Sequence, residues 1–388
     1  MKMRRWLFLL FFLFGFQEEV WATTEETNVE KMTKAQLEAL PLETLEKEWN
    51  EWKKGYEQSM PELSDLSFVD LMHGSFSFQQ MITLVVHLFF AEWVGQGKLL
   101  VVLITLLLLS ALLKLLHQSF ASNHIHPITY MCMFILLFVT VLESFKQTIQ
   151  LVISSIDAMV SMMIAFVPLF LSLMLSTGQI VSATLFHPLL IFFLNFMSFS
   201  VQKLFVPLLL LASFFHLFSL LSSHTNTLKL AILIRQTVFT LLSVFFAIFL
   251  GMTSIRGAAA SIGDGVALKT VKFMTGNFIP VLGKFFTEAA DTVLSTSMLV
   301  KNTIGIAGLL FIVWILLFPV IKIGVIAIMY RVSSALLQPI GEVKMIECVD
   351  VAGKYILYFL VLLLFVSFLF FFLLSIMIIS GNLFLMVK

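Results

Sequence analysis

Residues 355–380 read Tyr-Ile-Leu-Tyr-Phe-Leu-Val-Leu-Leu-Leu-Phe-Val-Ser-Phe-Leu-Phe-Phe-Phe-Leu-Leu-Ser-Ile-Met-Ile-Ile-Ser, twenty-six positions without one charge. A helix needs about 20 apolar residues to cross the hydrocarbon core of a bilayer, so this stretch predicts a span. A barrel strand would alternate apolar and polar side chains over about ten residues, whereas a continuously apolar run satisfies its own backbone in lipid as a helix. Seven more apolar runs lie upstream, at 99–116, 128–142, 158–175, 183–201, 204–221, 230–252 and 304–329, each set off by polar or turn residues. Of the 388 residues, 60% are hydrophobic and only 12% charged, with a mean hydropathy of +1.01. Soluble domains carry about 25% charged residues, and the apolar excess here is more than one core can hide. The predicted fold class is all-α: a polytopic membrane protein with about seven or eight transmembrane helices and a cleavable signal peptide.

The same composition excludes a disordered chain. A net charge of +1 without a basic run excludes a nucleic-acid binder. Cys132 and Cys348 stand far apart and suggest neither a disulfide framework nor a metal cluster. No cofactor is expected.

Six regions follow from the pattern. Residues 1–22 form a signal peptide: Lys2, Arg4 and Arg5 precede the apolar run 6–16, and cleavage is expected after Ala22. Residues 23–70 make an acidic arm outside the cytosol, with twelve acidic against five basic residues. Within it Leu42, Leu45, Trp49, Trp52 and Tyr56 line one face of an amphipathic helix, a stripe expected to pack on its own chain. Residues 71–98 contain a fourteen-residue apolar run, 81–94, too short to span and read as interfacial. Residues 99–252 are the transmembrane bundle, 253–302 an amphipathic Gly-rich hairpin, and 303–388 a C-terminal transmembrane pair. Pro168, Pro188, Pro207 and Pro319 sit inside apolar runs, where each kinks or breaks a helix. Eight spans oppose the positive-inside tendency, and making 158–175 re-entrant reverses that balance, which favours seven.

The stretch 253–302 is the least lipid-like part of the body. Gly263-Asp264-Gly265 is positioned to break a helix, and Gly276-Asn277-Phe278-Ile279-Pro280 reads as a stop, a turn and a restart. Gly276 would supply a left-handed turn, Pro280 would restrict Ile279, and Gly283 would let a neighbouring helix approach closely. Lys284, Glu288 and Asp291 then share one helical face, presented to a partner subunit or an aqueous path.

Enzyme signatures are absent from the sequence: it has no G-x-S-x-G, P-loop or H-E-x-x-H string, and His124-Ile125-His126 has the wrong spacing for two ligands on one helix face. The chain is read as a non-enzyme. Arg235 and Lys322 are charges inside apolar runs, each costing about 2.5–3.5 kcal/mol on insertion scales, so Arg235 is expected to face a protein interior with an acidic or carbonyl partner.

Ser254-Ile255-Arg256-Gly257-Ala258-Ala259-Ala260, Asp264-Gly265-Val266-Ala267-Leu268-Lys269, Asn277-Phe278-Ile279-Pro280-Val281-Leu282-Gly283, Ala289-Ala290-Asp291-Thr292-Val293-Leu294 and Lys301-Asn302 resemble the stage III sporulation protein AE family of endospore-forming bacteria. Gln338-Pro339-Ile340 and the layout of signal peptide, acidic arm and multi-span body are similar as well. The resemblance implies a mother-cell membrane protein of the secretion-like channel complex that joins mother cell and forespore. Its implied partners are other stage III sporulation membrane proteins and the lipid bilayer. A stand-alone secondary transporter is the rival reading, disfavoured by the lack of repeats and of acids in the middle of long runs; a pure assembly scaffold is the third.

Overall fold

The computed structural model describes residues 42–55, 78–119, 125–221, 227–278 and 282–386. The signal peptide, the first part of the acidic arm, Tyr56 and the corner 279–281 lie outside the described residues. Among those described, the elements are helices: α1 (Glu43–Lys54), α2 (Phe78–Gly95), α3 (Gly97–Ser119), α4 (Ile125–Ser176), α5 (Ile180–Ser200), a π turn (Val201–Phe205), α6 (Val206–Leu221), α7 (Leu228–Phe278), α8 (Leu282–Leu337) and α9 (Val343–Met386).

Among the described residues the eight apolar runs collapse onto six helices long and apolar enough to cross a membrane. Runs 128–142 and 158–175 belong to one 52-residue helix, α4. The polar residues between them include no glycine or proline, and lone polar side chains do not stop a helix whose backbone bonds are already made. Runs 183–201 and 204–221 are joined through the π turn into one continuous span, Ile180–Leu221. There the Val206 N–H bonds back to the Val201 carbonyl. Pro207 follows at once, and its missing donor is absorbed by this local widening rather than by a break. Pro168, Pro188 and Pro319 likewise lie inside helices, so of the expected kink or break the break does not occur at these positions.

The 253–302 region also differs from its sequence reading. Helix α7 passes straight through Gly263-Asp264-Gly265 and through Gly276 to Phe278, so the predicted break and the stop at Gly276 are both corrected. A glycine inside a helix costs about 1 kcal/mol relative to alanine, too little to end a helix held along its length by neighbours. Among the described residues the glycine with positive φ is Gly178, at 76°. The boundaries at 252/253 and 302/303 fall inside α7 and α8, whose ends flank the corner as parts of helices of 51 and 56 residues.

At 1.5 Å per residue, a helix of 52 residues is about 78 Å long against about 30 Å of hydrocarbon. The bundle therefore tilts or continues beyond the bilayer. Its centre is the α8–α9 pair, which packs against α4. At Gly305 an added Cβ would stand 2.5 Å from Ile378 Cγ1 and 2.6 Å from its Cδ1, so the two helices meet there only because the side chain is missing. Gly308, one turn on, sits between Phe166 of α4 and Leu374 of α9. Farther along, Phe145 meets Phe359 edge-on at 6.1 Å. Residues 145–166 of α4 thus run beside residues 359–374 of α9. The stripe of α1 packs on its own chain: Leu45, Trp49 and Trp52 are buried, and the Trp49 ring lies 4.9 Å from Phe311.

Candidate functional site

The turn between α4 and α5 is built from Thr177, Gly178 and Gln179. The Gly178 N–H donates to the Leu175 carbonyl (3.0 Å) and the Gln179 N–H to the Met174 carbonyl (2.8 Å), the paired bonds that close a helix on a left-handed glycine. Helix α5 restarts at once, at Ile180, with no cap from its own residue Gln179. Its first amides are capped instead by Asp264 of α7. Asp264 Oδ1 accepts from the Val181 N–H (2.8 Å), and Oδ2 from the Ser182 N–H (3.1 Å) and from the Ser182 hydroxyl. A carboxylate facing the positive end of a helix dipole with three donors is a favourable place for a buried charge. Asp264 is 1% exposed and Ser182 fully buried. The adjacent Gly263 allows the approach, since a Cβ there would lie 3.1 Å from Val181 Cγ1.

Lys301 of α8, also fully buried, donates from Nζ to the Ile378 carbonyl of α9 at 3.4 Å, and the opposite charge that acts on it is Asp264. Thr177, at the turn, and Ser182, at the start of α5, are buried polar side chains as well. Asp264 thus ties α7 to the α4–α5 turn, and Lys301, under the charge of Asp264, ties α8 to α9, both inside an apolar bundle. Asn302 is adjacent in sequence, with a buried Oδ1 that accepts no hydrogen bond among the described residues.

Arg235 stands apart from this node. Its guanidinium donates to the Tyr358 hydroxyl at 2.7 Å and lies 5.1 Å from that ring's centre. The expected acidic or carbonyl partner is thus corrected to a phenol, which offers both an acceptor oxygen and a π face to one cation. Tyr358 packs edge-on against Tyr355, and Tyr355 against His216. Lys322, the other charge inside an apolar run, reaches Glu92 of α2 at 4.0 Å.

The remaining candidates from the sequence are not assembled into this node by any described contact. Gly276 and Asn277 have helical backbone near the end of α7, and Gly283, Lys284, Glu288 and Asp291 have helical backbone at the start of α8; their side chains, and Pro280 altogether, lie outside the described residues. What the sequence reading missed is the Thr177-Gly178-Gln179 turn, Ser182 and Tyr358. The turn was findable, because a glycine one residue past a polar helix end is a stop signal. The partnership of Ser182 with Asp264, 82 residues on, leaves no local trace.

These features are common to no solved structure that matches the chain, since none does. A relative from Bacillus subtilis (strain 168), named stage III sporulation protein AE, is 36% identical over 399 residues, covering 100% of both chains. The family model described as stage III sporulation protein AE matches residues 66–381, a stretch that includes all six span-length helices and every residue of the Asp264 node. With the whole membrane body inside that match and a full-length relative beside it, the chain belongs to the stage III sporulation protein AE family.

Proposed function

We propose that this chain is a non-enzymatic membrane subunit of the intercellular, secretion-like channel complex of endospore development, forming part of its conduit or export platform. On this reading it resides in the mother-cell membrane around the forespore and works with other stage III sporulation membrane proteins. The observation that carries the proposal is family membership over nearly the whole chain, which supports a role in sporulation. The bundle is compatible with it: among the described residues, contacts such as Asp264–Ser182 and Arg235–Tyr358 join span-length helices through polar groups, the arrangement of a protein that must keep a fixed shape in lipid.

The test is genetic and biochemical together. A spore-forming host lacking its own copy should lose heat-resistant spores and regain them with this chain, and affinity capture of the chain from sporulating cells should retrieve other stage III membrane proteins. Normal spore counts without the chain refute the sporulation role; recovery of the chain alone, from membranes of a complementing strain, refutes the complex.

A further inference from the structure

One outward face of α4 is polar where the bundle should be most apolar. Glu143, Gln147, Gln150, Ser154, Asp157 and Ser161 recur at steps of 4, 3, 4, 3 and 4, and all six are exposed. Their depth is given by their neighbours. The contacts of Phe145 with Phe359 and of Phe166, through Gly308, with Leu374 set this stretch beside the charge-free run of α9. At that depth the outward residues of α9 and α7 are what lipid requires, namely Val361, Leu364 and Phe368, and Val244, Ile248 and Met252. The polar strip is therefore local to one side of the bundle. On that side the π turn swings Gln202 toward Asp157, whose Oδ1 accepts from Gln202 Nε2 at 2.5 Å, and Lys203 lies exposed next to it.

A mainly apolar groove of about 590 Å³ opens beside the strip between α4 and α6, lined by Leu142, Phe145, Leu210 and Phe214 as well as by Lys146, Gln150, Ser154 and Asp157. Phe214 also meets the Phe138 ring at 6.2 Å, and Phe138 meets Phe218 at 5.9 Å. A second polar surface reaches the same depth: α1 seats Trp49 on Phe311, three residues from Gly308, and turns Lys47, Asn50 and Glu51 outward.

We infer that this face lines a water-filled path for small hydrophilic solutes, closed on its far side by further copies of this chain. Lipid cannot cover it, because exposed carboxylates and amides at the depth of a charge-free run are expensive in hydrocarbon. A second copy fits as the opposite wall for two reasons. Parallel copies in one membrane place identical residues at identical depth, so polar strip meets polar strip. The face is also charge-balanced, Glu143 and Asp157 against Lys146 and Lys203, so like faces do not repel. The same balance makes the path weakly selective between cations and anions. This inference deepens the conduit reading and rests on it.

The test uses the full chain in its native membrane with Cys132→Ser removing the exposed native thiol; Cys348 is buried. Gln150→Cys and Ser154→Cys should react with a charged, membrane-impermeant thiol reagent roughly a hundredfold faster than Leu364→Cys or Ile248→Cys, the factor a charged group loses on entering hydrocarbon. A flexible bismaleimide should then join Gln150→Cys chains into a product of twice the mass of the single chain. Equal reactivity at the four positions, or none at Gln150 and Ser154, overturns the water-lined face. Labelling with no product between identical chains, or with a product to a different protein only, overturns the second-copy wall. Neither readout depends on spore formation, so failure of the sporulation role and failure of the water-lined face are read separately.

Discussion

Replacing Asp264 by alanine removes the acceptor for three donors at once: the Val181 N–H, the Ser182 N–H and the Ser182 hydroxyl. The pocket is buried, so water does not substitute. Each orphaned buried donor costs about 1–3 kcal/mol, partly offset because a buried carboxylate no longer has to be desolvated, which leaves a net destabilisation of about 3 kcal/mol. Asp264→Asn should cost less, about 1–2 kcal/mol, since its carbonyl can still accept from Val181 while its amide turns a donor toward Ser182. Ser182→Ala alone should cost about 1 kcal/mol; in the Asp264→Ala background it should cost nothing, because the hydroxyl it removes is already unpartnered. Denaturant unfolding of the purified chain in detergent micelles, read on all four variants, measures the cycle. An Asp264→Ala protein within about 0.5 kcal/mol of the parent, or a Ser182→Ala penalty that is the same in both backgrounds, refutes the capping account.

Two further outcomes follow from other contacts. Gly305→Ala should destabilise by about 1–3 kcal/mol, because its Cβ would stand 2.5 Å from Ile378, whereas Gly324→Ala, with nothing within 4 Å, should be neutral or stabilising; parallel melting curves decide it. Tyr358→Phe should cost about 1 kcal/mol by deleting the hydroxyl that accepts from Arg235 while keeping the ring beneath the cation, and Arg235→Leu should cost no more than this if the hydrogen bond dominates; a larger loss in the leucine variant, measured by the same unfolding curves, assigns the weight to the cation–ring contact.

Much of the fold was legible because lipid leaves a chain few options. Each of the eight apolar runs lies within a helix of the structure, as the need for internal backbone bonding demands. What could not be read was which neighbouring runs share one helix. The polar stretch 143–157 resembles a connector by composition, yet Glu143, Gln147, Gln150, Ser154 and Asp157 repeat at steps of 4, 3, 4 and 3, the period of an uninterrupted helix. Glycine misled in the other direction. Gly263, Gly265 and Gly276 resemble breakers, but a glycine beside a packed helix serves close approach, as at Gly263 against Val181. Asp264 and Lys301 were singled out through resemblance to a family, while the geometry that gives them partners joins residues 82 and 77 positions apart, a distance no periodicity reaches. Arg235 was recognised as a charge needing company; that the company is Tyr358, 123 positions away, is a tertiary fact.

The cap on α5 also has a consequence for the order in which the chain is built. Ser182 is synthesised long before Asp264, so the α4–α5 hairpin enters the bilayer with its tip amides unclaimed. Until α7 arrives, those amides must find water or lipid headgroups, which keeps the tip at a membrane surface. Docking of α7 withdraws them from solvent and trades many transient partners for one carboxylate. The early hairpin is thus provisional, and a ribosome-bound chain truncated before residue 264 should carry a tip still open to proton exchange that the finished protein has sealed.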